Sequence, residues 1–252
     1  MPTGQITVVL HRVAEGVWTV PNRLKAFGLD FSGKMTIVRL GNDRLWLHAP
    51  IPISDALAEE LAALGEVAHL VAPNRYHHLY AGMAKERYPA AGLFGAPGLD
   101  VKRKDLHFDQ MLEATPPSSW GDAFEVIPLQ GAPAFQEVVF FHRPTHTLIA
   151  TDLFMNVHHC EGTLSRLFYR VEGCYRRFSI PHSWRFMRKD RAAFAESARR
   201  IAALDIERVV MAHGESLEEG AQEHVHRALM RFVPEAVSSA SVGGVRGKGL
   251  DR

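Results

Sequence analysis

Side chains able to bind a metal ion follow three of the apolar runs in this sequence. One run ends at Ala72, one at Thr151 and one at Ala212, and imidazoles or a carboxylate come soon after each. If these runs are strands of an α/β protein, a site is expected at their carboxyl ends, because the sheet fixes the origin of loops that are otherwise free to vary. The candidate ligands are His77, His78, Asp152 and His213.

Three imidazoles and one carboxylate suit Zn, Fe(II) or Mn, because these ions accept nitrogen and oxygen donors. Four protein ligands would close a tetrahedral zinc site, whereas five- or six-coordinate Fe(II) or Mn would still hold a water molecule. The same pattern is compatible with no metal, with His77 and His78 as loop residues, Asp152 capping a turn and His213 hydrogen-bonded in the core. The spacing alone does not choose between these interpretations.

Residues 158–189 mix basic and aromatic side chains, with seven Lys or Arg against two acidic residues. Such a segment could bind an anionic ligand through Arg contacts and stacking, or it could be a solvated insert that covers a sheet. The solvated insert is the favoured interpretation, but because the segment begins shortly after Asp152 it could instead overhang the site and supply anion specificity. The candidate substrate-binding residues are Arg75, Tyr169 and Arg185.

The run His158-His159-Cys160 is a further candidate, as a second metal cluster or as a thiol activated by neighbouring basic groups. No partner motif of a cysteine hydrolase accompanies it. The two cysteines of the chain are too few for a disulfide framework, so we expect both to be reduced.

Alternating strand and helix patterns indicate an α/β protein. A helix is predicted after Ser54, which is suited to cap it, with Leu57, Leu61 and Leu64 on one face. The other predicted helices are 78–87, one beginning at Asp190, and about 218–232. The predicted strands are 6–9, 17–20, 35–40, 44–47, 67–72, 124–129, 138–141, 147–151 and 207–212.

These elements form two similar β-then-α halves that join near residues 116–120. No linker rich enough in Pro, Gly or Ser divides the chain, so we predict one domain over residues 1–233. Residues 234–252 are rich in Ser, Gly and charge, and they are expected to be a disordered tail.

Composition excludes several classes of protein. The 252 residues carry 29 Lys and Arg against 28 Asp and Glu, so the basic excess typical of nucleic-acid binding is absent. No apolar run approaches the ~20 residues of a membrane span, and the amino terminus lacks a signal-peptide pattern. We therefore expect a cytoplasmic protein with no membrane partner and no nucleic-acid partner. The expected partner is a small molecule, which would be anionic if the basic segment binds it, and the oligomeric state stays open.

Several sequence segments indicate a protein family more specifically than the composition does. They are Leu45-Trp46-Leu47-His48-Ala49-Pro50, Ala72-Pro73-Asn74-Arg75-Tyr76-His77-His78, Glu137-Val138-Val139-Phe140-Phe141-His142-Arg143-Pro144, Ala150-Thr151-Asp152-Leu153 and Met211-Ala212-His213-Gly214. With the order of elements, they resemble the metallo-β-lactamase superfamily, and in particular its divergent DUF4336 branch, over roughly residues 6–232. The resemblance implies a four-layer αββα sandwich, two mixed sheets face to face with helices outside.

The metal motif of the superfamily is degraded in this chain. When the last two letters of the pattern H-x-H-x-D-H are laid on His77 and His78, Pro73 and Arg75 fall where the first two histidines belong. Ala132 falls at the next histidine. The resemblance therefore implies that the first of two metal sites is lost, and that the four candidate ligands retain the second, with His77 in place of the aspartate.

Two functions follow from the resemblance. The first is hydrolysis of an ester, thioester, lactone or phosphoester with at most one divalent ion, Zn, Fe or Mn. The second is a non-catalytic pseudoenzyme or small-anion binding module on the same fold, with no metal, because ligand positions are replaced. The sequence does not identify a catalytic residue or choose between the two.

Overall fold

The chain forms thirteen β-strands and seven α-helices over residues 9–233, the part that the computed structural model describes. The strands are β1 (His11–Ala14), β2 (Val17–Asn22), β3 (Lys25–Ala26), β4 (Leu29–Asp30), β5 (Gly33–Arg39), β6 (Arg44–His48), β7 (Glu66–Ala72), β8 (Gly92–Gly95), β9 (Gln110–Met111), β10 (Phe124–Pro128), β11 (Val138–His142), β12 (Thr147–Ile149) and β13 (Arg208–Val210). The helices are α1 (Asp55–Leu64), α2 (Ala81–Arg87), α3 (Leu99–Lys102), α4 (Thr163–Val171), α5 (Trp184–Met187), α6 (Arg191–Ala202) and α7 (Ala221–Phe232).

The first half of the chain builds a seven-stranded mixed sheet in the order β1-β2-β5-β6-β7-β8-β9. Strands β1, β2, β5 and β6 form an antiparallel meander, and β6 to β9 run parallel. Parallel neighbours need crossover connections, and α1 supplies the one between β6 and β7. As predicted, Ser54 caps α1 by accepting a hydrogen bond from the Leu57 amide at 3.2 Å, and Leu57 and Leu61 are buried.

The second half builds a four-stranded mixed sheet in the order β10-β11-β12-β13. Strands β10, β11 and β12 are antiparallel, and β12 pairs with β13 in parallel. Helices α6 and α7 share a core with the outer face of this sheet through residues such as Phe194, Ile201, Val225 and Leu229. Their apolar faces therefore form the outer layer on this side.

Aromatic side chains join the two sheets at the centre of the molecule. Trp46 of β6 lies with its ring 4.5 Å from that of Phe124 and 5.0 Å from that of Phe140, on β10 and β11. Helix α1 packs on the other face of the first sheet. This layering of helix, sheet, sheet and helix confirms the predicted αββα sandwich.

Some predicted elements differ in their bounds. The first described strand is His11–Ala14, and the predicted strand 6–9 falls almost wholly outside the described residues, as does the predicted tail 234–252. Helix α2 begins at Ala81 rather than His78, because a turn held by Asn74 precedes it. The hairpin of β3 and β4 was not predicted. No helix among residues 9–233 has the length and apolar character to cross a membrane.

Candidate metal centre

Three of the four predicted ligands meet in one triangle. His77 Nε2 lies 3.2 Å from His213 Nε2 and 3.3 Å from Asp152 Oδ1, and the third side, from His213 Nε2 to Asp152 Oδ1, measures 3.4 Å. Asp152 and His213 are buried, and His77 is partly exposed. Among residues 9–233 this is the one group of His, Cys, Asp and Glu arranged to hold a metal ion.

The dimensions of this triangle suit a divalent ion. Zinc binds histidine nitrogen and carboxylate oxygen at about 2.0–2.2 Å, and tetrahedral ligands at such distances are separated by about 3.3–3.6 Å. The observed sides therefore match one face of a tetrahedron. The three donor atoms already have the separations that such a centre requires.

The loop after β7 positions His77 through Asn74, whose side chain is fully buried. The Asn74 Oδ1 atom accepts hydrogen bonds from the amides of Tyr76 at 2.8 Å and His77 at 2.7 Å. This turn, in which an Asn side chain replaces a main-chain acceptor, is a common way for Asn to fix a loop. The Asn74 amide nitrogen donates to Asp152 Oδ2 at 2.6 Å, so one residue orients two of the candidate ligands.

Asp152 follows β12, and hydrogen bonds hold both its main-chain amide and its main-chain oxygen. Its amide and those of Thr151 and Leu153 donate to the carboxylate of Glu137, which is completely buried. Its main-chain oxygen accepts a hydrogen bond from Trp184 Nε1 at 2.9 Å. These contacts fix the main chain of Asp152, so that Oδ1 faces the triangle while Oδ2 faces Asn74.

His213 follows β13, and its ring is oriented by the first sheet. Its Nδ1 lies 3.2 Å from the carbonyl oxygen of Ser32. Because a carbonyl only accepts, Nδ1 carries a proton. When the ring is neutral, Nε2 therefore presents its lone pair to the triangle, and when the ring is protonated, Nε2 donates to Asp152. An outer partner on one imidazole nitrogen commonly sets the tautomer of a metal-binding histidine.

Two glycines allow the close approach of these segments. Gly214 has φ of +88°, and a Cβ there would lie 2.1 Å from the main-chain oxygen of Asn156. Gly33 passes close to the segment that carries His213, since a Cβ there would lie 3.2 Å from the main-chain oxygen of Ala212. Any side chain at position 214 would therefore displace the strand end that carries His213.

The charges and hydrogen bonds of the triangle shift the pKa values of Asp152 and His213. Burial disfavours ionisation of Asp152, but the charge of His77 and the hydrogen bonds from both imidazoles outweigh it and lower the pKa of Asp152. Burial also disfavours charge on His213, whereas the hydrogen bond and charge of Asp152 raise the pKa of His213. Three acceptor atoms this close repel one another unless a cation, either a proton or a metal ion, lies among them.

The structure does not bring His78, the fourth predicted ligand, to the triangle. The His78 Nδ1 accepts a hydrogen bond from the Arg103 guanidinium at 3.0 Å. Burial first, then the charges of Lys102 and Arg103, lower the pKa of His78 to about 4. The turn fixed by Asn74 sends the two neighbouring imidazoles in different directions, and spacing alone does not reveal this.

A cavity of about 460 Å³ opens beside the triangle and is lined mainly by apolar side chains. Arg75, one of the predicted substrate-binding residues, is among the lining residues, and so is Lys102, which the sequence analysis does not single out. The Lys102 ammonium donates to the carbonyl oxygen of Arg75. Burial and then the charges of Arg75 and Arg103 lower the pKa of Lys102, which indicates an excess of positive charge on this side of the cavity.

The other two predicted substrate-binding residues do not line this cavity. Tyr169 is buried, and its hydroxyl donates to the carbonyl oxygen of Asp30 at 2.8 Å, so it anchors α4 to β4. Arg185 lies on α5 with its guanidinium 5.5 Å from the centre of the Phe232 ring. Both predictions followed from the composition of residues 158–189, and composition does not tell which side of a helix faces a cavity.

The run His158-His159-Cys160 does not form an activated thiol. Burial, and next the charge of Asp30, raise the pKa of Cys160, which makes its thiolate less available. His158 and His159 approach Glu215 at 3.9 and 3.8 Å on the wall of a separate cavity of about 1180 Å³. This second cavity is larger, but His77, Asp152 and His213 line the smaller one.

Sequence reasoning missed the residues that hold the triangle together. A polar residue such as Asn74, directly after a predicted strand, is a signal for a turn that was available in the sequence. Glu137 had no such signal, because an acidic residue at the start of an apolar strand gives no sign of full burial. Ser32 acts through its main chain, so its residue type carries no information.

The family model DUF4336, described as a domain of unknown function, matches residues 14–168. This range contains His77 and Asp152 but not His213. A search of curated proteins found no match.

Solved metallo-β-lactamases are similar to this chain in fold. The metallo-beta-lactamase from Pontibacter korlensis has a TM-score of 0.59 and 13% identity, covering 88% of this chain and 99% of its own. For the DIM-1 metallo-beta-lactamase the values are 0.61 and 12%, over 89% and 98%. For VMB-1 they are 0.61 and 10%, over 94% and 100%. At these identities the likeness shows the fold alone, and it confirms the resemblance inferred from the sequence motifs.

Proposed function

Because the chain belongs to the DUF4336 family and has a metallo-β-lactamase-like fold, we propose that it is a metal-dependent hydrolase with a single divalent ion. His77, Asp152 and His213 would hold the ion, which is Zn, Fe(II) or Mn according to the donor set. The observation that carries the proposal is the triangle of one carboxylate oxygen and two imidazole nitrogens with sides of 3.2–3.4 Å.

A divalent ion bound there would polarise a carbonyl or phosphoryl oxygen and acidify a water molecule. Three protein ligands leave at least one coordination position free, as in catalytic zinc sites and unlike closed structural ones. This point favours turnover, because the expected fourth ligand, His78, is engaged by Arg103 instead. Asn74 and Glu137 would keep Asp152 in place through their hydrogen bonds during the reaction.

The cavity narrows the class of substrate. Its apolar walls favour an ester, thioester, lactone or phosphoester with an apolar group. Arg75 and Lys102 would bind an anionic group of that molecule, since the Arg fork suits a carboxylate or phosphate. The proposed partner is therefore a small amphipathic anion.

Hydrolysis can be tested on full-length protein loaded separately with Zn²⁺, Mn²⁺ or Fe²⁺. The panel would contain p-nitrophenyl acyl esters, an acyl thioester, a lactone and bis-p-nitrophenyl phosphate. We expect turnover of at least one substrate, lost by at least about 10³-fold in His213→Ala and largely kept in His78→Ala. Equal activity in both variants, or activity that survives chelation, would refute the proposal.

The alternative is a pseudoenzyme that binds a small anion without turnover. Pro73 and Ala132, which occupy expected ligand positions, cannot coordinate a metal, and Ala132 is buried in an apolar cluster. In that case the protein would bind an anion such as a fatty-acid carboxylate through Arg75, and no metal would raise its hydrolytic rate. Arg75→Gln would then weaken binding, while His213→Ala would not.

A further inference from the structure

Exposed apolar side chains form a continuous patch beside the cavity. Phe27 is 97% exposed, Leu164 and Leu167 are each 56% exposed, and Val171 is 65% exposed. We call these four residues the apolar patch. Folded proteins expose single apolar residues routinely, but a contiguous group is a sign of a binding surface.

Phe27 stands at the tip of the hairpin formed by β3 and β4. The two turn residues are Phe27 and Gly28, with φ of +52° and +76°. A two-residue turn with positive φ at both positions favours Asn-Gly, and a bulky residue at the first position is strained. Because its ring is almost fully exposed, Phe27 recovers little of this cost through packing. Such strain at an exposed position indicates that the ring contacts a binding partner rather than the rest of the chain.

Helix α4 exposes apolar side chains that an ordinary surface helix would bury. Leu164, Leu167 and Val171, spaced i, i+3 and i+7, lie on its exposed side. Its inner side combines polar and aromatic contacts: Ser165 Oγ accepts a hydrogen bond from the Asp30 amide at 2.9 Å, and the buried Tyr169 donates to the Asp30 carbonyl oxygen. The helix therefore turns its apolar stripe to solvent although polar anchors fix it firmly.

The hairpin and the helix form one surface. A Cβ placed on Gly28 would lie 3.9 Å from Leu164 Cδ2, and the ring of Phe168 packs edge-on against Phe31 at 5.6 Å. Phe27, Phe31 and Phe168 also line the cavity that holds the triangle. The apolar patch is thus continuous with the apolar wall of the cavity.

Charge indicates what covers this patch. Arg166 and Arg170 are exposed on α4, one turn apart. Two copies of the chain meeting at this patch would bring the same cations together, which opposes self-association. A convex apolar tip flanked by arginines is complementary to anionic headgroups over hydrocarbon.

We propose that the apolar patch docks this protein on the surface of an anionic membrane, without crossing it. Phe27, Leu164 and Leu167 insert into the headgroup region, and Arg166 and Arg170 contact the phosphates. This proposal departs from the sequence-based prediction of no membrane partner, which rests on the absence of a spanning segment, because docking at the surface requires no such segment. The proposal does not depend on hydrolysis at the triangle.

Vesicle flotation of the full-length protein tests the proposal. Vesicles of phosphatidylcholine alone are compared with vesicles of equal phosphatidylcholine and phosphatidylglycerol, at low and high salt. We expect binding to the anionic vesicles that falls with salt. Phe27→Asn, which suits the turn, and Leu167→Gln should each weaken it by about tenfold or more. The matched control Met230→Gln, at an exposed position on α7, should bind like the wild type.

Three outcomes would overturn the proposal. The first is no binding to the anionic vesicles at low salt. The second is binding that the apolar variants leave unchanged while Arg166→Gln with Arg170→Gln abolishes it, which would show adsorption by charge alone. The third is a dimer detected by light scattering that Phe27→Asn dissociates, since a second copy would then cover the patch. Thermal unfolding of every variant verifies that it is folded.

Discussion

Replacing Asn74 by Ala should damage both folding and the metal centre. The side chain is fully buried and makes four hydrogen bonds, to Thr151 Oγ1 at 2.8 Å, to Asp152 Oδ2 at 2.6 Å and from the amides of Tyr76 and His77. The substitution removes all four together. It also leaves a buried carboxylate oxygen and two amides without these partners.

The expected loss of stability follows from these bonds. A neutral hydrogen bond contributes about 1 kcal/mol net, and one to a charged group contributes about 1.5–3 kcal/mol. If water enters the space and replaces some of the partners, Asn74→Ala should lower the free energy of unfolding by about 3–5 kcal/mol. Metal affinity should fall about 10- to 100-fold, because an outer partner of Asp152 is lost.

Urea unfolding at pH 7 and titration of the metal-free protein with Zn²⁺ measure the two effects. Asn156→Ala is the matched control, because this buried side chain hydrogen-bonds to the Glu215 carbonyl oxygen and to His158 and to none of the three ligand side chains. Its stability should fall by less, and its zinc affinity should change little. A loss below about 1 kcal/mol for Asn74→Ala, with unchanged zinc affinity, would refute our account of how the site is held.

Other substitutions test separate parts of the structure. Neither ring nitrogen of His69 has a hydrogen-bond partner among the described residues, and burial lowers its pKa to about 4. The unfolded chain therefore binds more protons than the native state between about pH 6.5 and 4, so stability falls as the pH falls through this range. In urea unfolding, His69→Leu should be more stable than wild type by about 1–2 kcal/mol at pH 7 and should lose less stability at pH 5; equal pH dependence would contradict this. Gly214→Ala should lower the free energy of unfolding by at least about 3 kcal/mol in the same assay, because its Cβ would overlap a main-chain oxygen. The control Gly98→Ala, at a position with positive φ but open space, should lower it by about 1 kcal/mol. Similar losses in the two variants would contradict the overlap. Tyr169→Phe should lower the free energy of unfolding by about 1 kcal/mol and leave kcat and KM unchanged. A raised KM would contradict this and would indicate that Tyr169 binds substrate.

Much of the fold could be predicted from the sequence, because local patterns decide local elements. The cap at Ser54 and the apolar spacing of α1 require no tertiary information. The strand end at Ala72 could be located in the same way, whereas the strands predicted to end at Thr151 and Ala212 end at Ile149 and Val210. The structure still brings His77, Asp152 and His213 from the three following loops together. The layering itself came from the resemblance, since periodicity does not say which sheets face each other.

The rest of the site depends on directions that spacing does not encode. His77 and His78 are adjacent in the chain, yet only one faces the triangle, because the Asn74 turn and Arg103 orient them differently. Tyr169 has a residue type suited to binding, but it is buried as an anchor. The hairpin that carries Phe27 is too short for a strand pattern of alternating residues to appear.

Metal content measured by plasma mass spectrometry tests the central claim most directly. The protein is purified without tag or chelator, in parallel with His77→Ala, His213→Ala and His78→Ala. The three-ligand centre predicts about one equivalent of Zn, Fe or Mn in the wild type and in His78→Ala, and a large loss in His77→Ala and His213→Ala. No metal in the wild type even after incubation with each ion, or equal metal in all four proteins, would contradict it.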